Sequence, residues 1–272
     1  MAPAPTPVSS TPTPFGRLLS HWRRARRLSQ EALAADAEIS ARHLSFLENG
    51  RSKPSRQMVL ILSSALEVPL RERNTLLHAA GFAPIYRETP PEGEEMVQVH
   101  RALDFLLTQA EPYGAAVIDR QWNLLRYNRP MATFMALFLG EEQVPEQFNI
   151  LEAAFDPNGF RPYIKNFEQL GSALLDRLHR QAFLEPDPRT EALLERIKGY
   201  PGTPEDWRGL KLERPPKLLI PLEMEKDGLC LSMFTTLTVL GTAEDITTSE
   251  LAIEHYFPAD EATDQLVRAM MS

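Results

Sequence analysis

Phe15, Leu18, Leu19 and Trp22 recur at helical spacing, and Thr13-Pro14 before them supplies an N-cap and a first-turn proline. The pattern restarts behind three serines. Ser29 precedes Glu31 and then Ala32, Leu33 and Ala34, which are small enough for close helix packing. Ser40 precedes Leu44 and Leu47, which point inward, with Ile39 sealing the approach. Ala41, Arg42, Ser45 and Phe46 are then left on the outer face, and Asn49-Gly50 ends the segment. Ser55 opens a fourth helix, with Met58, Leu60, Ile61, Leu62, Ala65 and Leu66 mostly buried. Pro69 opens a fifth, which Gly81 closes. Five short helices within residues 14–83 predict a compact bundle.

Beyond residue 83 the pattern changes. Residues 84–95 are rich in Pro, Glu and Gly and read as a linker. Met96, Val99, Leu103, Phe105, Leu106 and Leu107 predict a helix that Glu111-Pro112 ends. Residues 114–119 and 122–128 read as two strands joined by a tight turn near Arg120. A very apolar helix is predicted over 131–139, a long one over 159–183 and another over 190–197. Strands follow over 217–224, 228–240 and 249–257, before a final helix over 260–270. Strand, strand, helices, then three strands is the order of a PAS-like domain. The predicted class is α+β in two domains. One is the N-terminal five-helix bundle. The other, over 96–272, is a PAS-like antiparallel sheet flanked by helices. Residues 1–13, a Pro/Thr/Ser tail, are expected to be disordered.

Charge sharpens this division. Residues 15–82 carry 11 Lys and Arg against 6 Asp and Glu, a balance of +5, whereas the rest carries 18 against 31, a balance of −13. A basic module is joined to an acidic one. The net charge of −8 argues against coating nucleic acid along the whole surface. The single cysteine, Cys230, allows no internal disulfide and no Cys cluster for zinc, which fits a reducing cytoplasm. The N-terminus lacks the apolar and basic regions of a secretory signal, and no run approaches the roughly 18 apolar residues of a membrane span. There is no P-loop, GxGxxG, HExxH or GxSxG, and the histidines show no ligand spacing. No catalytic or metal-binding residue is expected.

The basic module carries its own chemistry. ArgArgAlaArgArg at 23–27 stands before two short helices joined by a tight turn, the second offering polar side chains on a basic support. That is the sequence form of a DNA-reading helix-turn-helix. SerGlnGluAlaLeuAla at 29–34, IleSer at 39–40 and LeuSerPheLeuGluAsnGlyArg at 44–51, with LysProSer and AlaLeuGluVal after them, resemble the phage-repressor (Cro/C1, XRE) helix-turn-helix. The resemblance covers about residues 15–82 and implies double-stranded DNA as the partner. It implies that Gln30 grips a phosphate and that Ser40, Ala41, Arg42, Ser45 and Phe46 read bases. It implies that Asn49, Arg51, Lys53 and Arg56 hold the DNA backbone, and that Arg23 pairs with Glu48. Side-chain chemistry agrees, since Arg42 can be bidentate to guanine O6 and N7, worth about 1–3 kcal/mol of discrimination. Two readings fit Phe46: contact with a thymine methyl, or packing on the fourth helix. Two also fit His43, a phosphate contact or a solvated residue. Arg24, Arg26 and Arg27 are either phosphate contacts or a solvated helix face. One such module makes few base contacts, so a homodimer on half-sites about one helical turn apart is expected.

The acidic part resembles the ligand-binding domain of MmyB-like transcription regulators over about residues 96–258. The matching pieces are the linker helix, IleAspArgGlnTrpAsnLeuLeuArgTyrAsn at 118–128, AsnIleLeuGluAlaAlaPheAspPro at 149–157, and the closing strands. The resemblance implies a small, largely apolar ligand, such as a fatty acid, held inside the fold. That family tends to carry a His-Pro-x-x-Gly-like turn before its last strands, where this chain has GluMetGluLysAspGlyLeu at 223–229. Met131, Phe134, Met135 and Phe138 form an apolar stripe, which fits either an adaptable ligand cavity or plain core. Trp122 has a polar N–H suited to a pocket rim, and Arg126 either meets a ligand carboxylate or is a solvated strand residue. The whole reads as a sequence-specific transcription regulator whose PAS-like domain senses a small apolar ligand, with no other cofactor. The alternative keeps the regulator and makes the C-terminal domain only a dimerisation or protein-partner scaffold.

Overall fold

The computed structural model describes residues 12–140, 147–207 and 219–272. Most of the expected tail and the first two residues of the strand expected over 217–224 lie outside them. The chain divides into two compact units. One is Met1–Glu88 with the short pieces Phe183–Glu185 and Glu244–Ile246, and the other is the remainder.

The first unit holds α1 (Pro14–Ala25), α2 (Gln30–Asp36), α3 (Ala41–Glu48), α4 (Arg56–Ala65) and α5 (Leu70–Ala79). Four of these begin as the sequence suggests. The side chains of Thr13, Ser29, Ser40 and Ser55 accept hydrogen bonds, each at 3.1 Å, from the N–H groups of Gly16, Ala32, His43 and Met58. The helix ends share a device that the sequence shows only in part. Each helix is followed by a residue of positive φ: Arg27, Glu38, Gly50, Glu67 and Gly81. Glycine adopts this freely, but a side chain there costs about 1–2 kcal/mol. Backbone hydrogen bonds from Leu28 to Arg23, Ile39 to Ala34 and Val68 to Ser63, at 2.9–3.0 Å, offset that cost and return an apolar residue to the core.

The bundle core centres on Phe15, Leu19, Trp22, Leu44 and Leu47. At Gly16, helix α1 approaches α3 so closely that a Cβ would lie 2.3 Å from the Glu48 carbonyl oxygen. The buried stripe of α4 is Val59, Leu62, Ser63 and Leu66, at helical spacing from Val59. This corrects the expected face: Ile61 is exposed, and Met58 and Leu60 are half-buried.

The second unit is built on an antiparallel sheet of β1 (Gly114–Ile118), β2 (Leu124–Tyr127), β3 (Leu222–Lys226), β4 (Leu229–Val239) and β5 (Ala252–Pro258), in the order β2-β1-β5-β4-β3. Around it lie α6 (Val97–Gln109), α7 (Arg129–Leu139), α8 (Ile150–Ala153), α9 (Phe167–Leu184), α10 (Pro188–Lys198), α11 (Ile246–Ser249) and α12 (Glu261–Met271). The fold is α+β, as expected. Alternation along the strands splits the two faces. Ala115, Val117 and Ile253 cluster with Leu103 and Leu107 of α6, whereas Ala116, Ile118, Met233 and Tyr256 belong to the larger core with α7 and α9.

Two expected boundaries move for tertiary reasons. The helix expected from residue 159 starts at Phe167. Just before it, Ile164 bridges Met224 and the Lys165 N–H bonds the Glu223 carbonyl at 2.9 Å, so that backbone is committed to β3. The strand expected from 249 starts at Ala252, because α11 occupies the residues before it. The β3–β4 hairpin turns on Asp227 and Gly228, both of positive φ, which suits a two-residue turn and uses no His-Pro.

The expected linker is not uniform. Ile85 and Tyr86 donate their N–H groups to Asn74 Oδ1 at 3.0 and 3.1 Å, and Asn74 Nδ2 donates back to the Tyr86 carbonyl at 2.8 Å. Within 84–95, limited proteolysis read by mass spectrometry is therefore expected to cut at 91–95 and to spare 84–86. Cutting first at 84–86 would contradict the Asn74 clamp.

Candidate functional site

The third helix is held in place by a small ionic network. Glu48 is buried at its end and accepts from Arg23 Nε at 2.7 Å, Arg23 Nη2 at 3.0 Å and Gln30 Nε2 at 2.7 Å. Arg23 also donates to the Leu28 carbonyl at 2.9 Å. The bond to Glu48 pushes the Arg23 pKa up, so the cation is fixed. The expected Arg23–Glu48 pair is thus present. One amide proton of Gln30 is committed to Glu48, which leaves the second for an outside acceptor.

Outward from this network lie the candidate base readers. Arg42 is exposed, and Ser45 and Phe46 are half-buried beside it. The Arg42 guanidinium lies 5.3 Å from the Phe46 ring centroid and that of Arg51 lies 6.0 Å from it. Among the described residues, Phe46 is not one of the side chains packed on the bundle core, whereas Ala41 is. Ala41 therefore faces partly inward, a correction to its expected outer position. The Ser40 hydroxyl oxygen accepts the His43 N–H, so its proton remains to be donated. Asn49 Nδ2 donates to the Ser45 carbonyl at 2.8 Å, fixing the end of α3. His43 is half-buried, and Lys53 and Arg56 are exposed after α3. Arg26 donates to the Leu66 and Glu67 carbonyls at 3.0 and 3.1 Å, a structural tie at the end of α4, while Arg24 and Arg27 are exposed.

In the second unit the turn after β1 builds the wall of a cavity. Asp119 accepts from the Gln121 and Asn123 N–H groups at 2.8 and 2.9 Å and from Asn123 Nδ2 at 2.8 Å. This holds Trp122 at a φ of 68°. Asn149 caps α8 and donates to the Gln121 carbonyl at 2.6 Å, locking α8 to the turn. Asn128 joins β1, α6 and α7. Its Oδ1 accepts from Ala115 and Met131, and its Nδ2 donates to the Leu107 and Tyr113 carbonyls.

These supports surround an apolar cavity of about 80 Å³, with Trp122, Met131, Phe134, Ile150 and Phe160 in its lining. A second cavity of about 40 Å³ shares Met131, Phe134 and Tyr256 with the first and reaches Met270 and Met271 of α12. The first has one polar wall, formed by Thr235, Glu254 and Tyr256. Tyr256 donates its O–H to Glu254 Oε2 at 2.7 Å. Burial pushes the Glu254 carboxyl and the Tyr256 phenol up from their ordinary pKa values. Nearby, burial pulls the Arg177 guanidinium down, and it sits over the Trp122 ring at 4.5 Å.

Residues 99–270 match the family described as "MmyB-like transcription regulator ligand binding domain". The chain belongs to the MmyB-like transcription regulators. Residues 14–76 match the "Helix-turn-helix domain" family. Over 115 residues the chain is 36% identical to the "Uncharacterized HTH-type transcriptional regulator RghRB" of Bacillus subtilis (strain 168), which covers 42% of this chain and 81% of that protein. Among solved structures, "Structure of an RNA-binding Light-Oxygen-Voltage Receptor" is matched at 11% identity over 95% of this chain and 62% of that one. Its TM-score of 0.24 carries no argument.

Of the ligand candidates in this MmyB-like regulator, Trp122, Met131 and Phe134 line the larger cavity. Met135 and Phe138, each 1% exposed, lie in the core outside its lining, one helical turn beyond Met131 and Phe134. The Trp122 N–H is engaged by Gln181 Oε1 at 3.1 Å. Arg126 is opposite Val117 on the other face of the sheet and pairs with Asp104 of α6, away from the cavity. Sequence reasoning missed Glu254. The available signal was an acidic residue two positions before Tyr256, on the face that a buried strand turns inward.

Proposed function

We propose that this transcription regulator binds a specific operator in double-stranded DNA as a homodimer, in the cytoplasm, and that its second domain senses a small, largely apolar, fatty-acid-like ligand. The observation that carries the sensing half is the apolar cavity inside the domain of the ligand-binding family. Its 80 Å³ is smaller than the roughly 150 Å³ apolar cavity that accepts benzene. A chain-like ligand would therefore occupy both cavities, and their shared partition includes Met131, an unbranched side chain with several rotatable bonds. Mass spectrometry of the denatured, freshly purified protein tests this. A stoichiometric apolar molecule supports the sensor, and its absence removes the argument.

Arg42 and Lys53 test the DNA half. Arg42→Ala is expected to weaken binding to the cognate site roughly tenfold and to relax preference at one base position. Lys53→Ala is expected to weaken binding to all sequences alike and to reduce the salt slope by about one phosphate contact. Wild-type behaviour of both variants in a salt-dependent titration would sink the assignment.

One observation favours the second reading, a scaffold without ligand. The outward face of α6 exposes Val97 and Phe105, at 54% and 63%. A partner surface there would serve dimerisation whether or not the cavity is filled.

A further inference from the structure

The polar wall of the larger cavity has a definite chemistry. Thr235 of β4 is paired in register with Tyr256 of β5, and Glu254 lies two residues along, on the same inward face. Glu254 and Tyr256 are both closed off from solvent, at 6% and 8% exposure. The Tyr256 O–H donates to the carboxyl at 2.7 Å, and Thr235 lines the same wall beside it. Among the described residues, no Lys, Arg or His lines this cavity. Arg177 reaches the region from α9, but its guanidinium lies over the Trp122 ring and is not part of the lining.

Charge is costly in such surroundings whichever partner carries it. Burial is the dominant influence on Glu254, outweighing Tyr256, Arg177 and Thr235, and it favours the neutral acid. In the neutral form that burial favours, the acid beside two hydroxyls offers hydrogen-bond donors and acceptors without a countercharge. A ligand carboxylate placed here would meet no lining cation, and would have to share a proton with Glu254. A ligand ammonium would require Glu254 to ionise in an apolar cavity.

We propose that the Thr235–Glu254–Tyr256 wall selects an aliphatic ligand with an uncharged hydrogen-bonding head, such as an alcohol, amide, ester or lactone, over the matching carboxylate or amine. This rests on the reading that the cavity holds a ligand. It keeps the aliphatic tail of that reading and replaces the carboxylate head of a fatty acid with an uncharged one.

Octanol, octanamide, octanoate and octylamine share a tail and differ in the head. Calorimetric titration and thermal unfolding of the full chain with each of them test the proposal. Octanol and octanamide are expected to bind at least about tenfold tighter than the two charged ligands, as a mismatched buried polar group requires. If octanoate or octylamine binds as well or better, the proposal is overturned and the ligand reading stands. If none of the four binds, both fall. Glu254→Leu, with a side chain of similar size, is expected to weaken octanamide roughly tenfold. Thr235→Val, at a less buried position, reads the same loss should the first variant not fold. Unchanged octanamide binding in a folded variant of either kind overturns the assignment of the head site.

Discussion

Glu48→Ala is expected to lower the stability of the N-terminal bundle by about 3 kcal/mol. Glu48 accepts three hydrogen bonds from Arg23 and Gln30, and the two side chains of the ion pair are only 11% and 6% exposed. Removing the carboxylate leaves a guanidinium largely enclosed without its counter-ion, which typically costs about 3–5 kcal/mol. Arg23 keeps its bond to the Leu28 carbonyl and some access to water, which places the loss at the lower end. For a bundle of this size the melting temperature should fall by roughly 12–24 °C, read by calorimetry. Operator binding should fall with it, because the network ties α1, α2 and α3 together. Glu48→Gln keeps an acceptor for one donor and should lose less. A fall of under about 5 °C for Glu48→Ala would show that water replaces the carboxylate and that the network is not what orients α3.

Removing bound ligand is expected to destabilise the second domain and to change operator affinity in the same experiment. At a hundredfold excess over Kd, mass action contributes about 2.7 kcal/mol, which for a domain of this length is roughly 5–11 °C of melting temperature. The change in DNA affinity follows only if the ligand binds DNA-competent and incompetent forms unequally. The candidate element is α6, which follows the linker and packs Leu103 and Leu107 on the sheet face opposite the cavity. Phe134→Trp, at the partition between the cavities, is expected to abolish the ligand-dependent shift and to leave the melting of the first unit unchanged. Met135→Trp is a different test. Met135 is core, so overpacking there should destabilise the domain by about 1–3 kcal/mol with or without ligand. Delipidated protein that melts and binds DNA as before would remove the sensor and leave the scaffold.

The features legible in the chain itself are those set by a few consecutive residues. Thr13, Ser29, Ser40 and Ser55 cap their helices because an N-cap needs only its own side chain and an N–H three residues on. The outward position of Arg42 and the inward positions of Leu44 and Leu47 follow from helical spacing within one short element. The order of the strands and of the longer helices in the second domain was readable for the same reason, whereas the four-residue helices α8 and α11 were not expected.

Tertiary structure decided what depends on partners distant in sequence. Arg27, Glu38 and Glu67 take the backbone conformation that glycine prefers, because packing of the following apolar residues holds the turns closed. The start of α9 was decided by β3, which claims the backbone of Ile164 and Lys165. The position of the cavity along α7 decided that Met131 and Phe134 line it and that Met135 and Phe138, one turn further on the same face, do not. Pairing of β1 with β2 turned Arg126 to the α6 face, and pairing of β4 with β5 brought Thr235 beside Glu254 and Tyr256. A helix cap is a local hydrogen bond, but the wall of a cavity is set by register and position among elements that meet only when the chain folds.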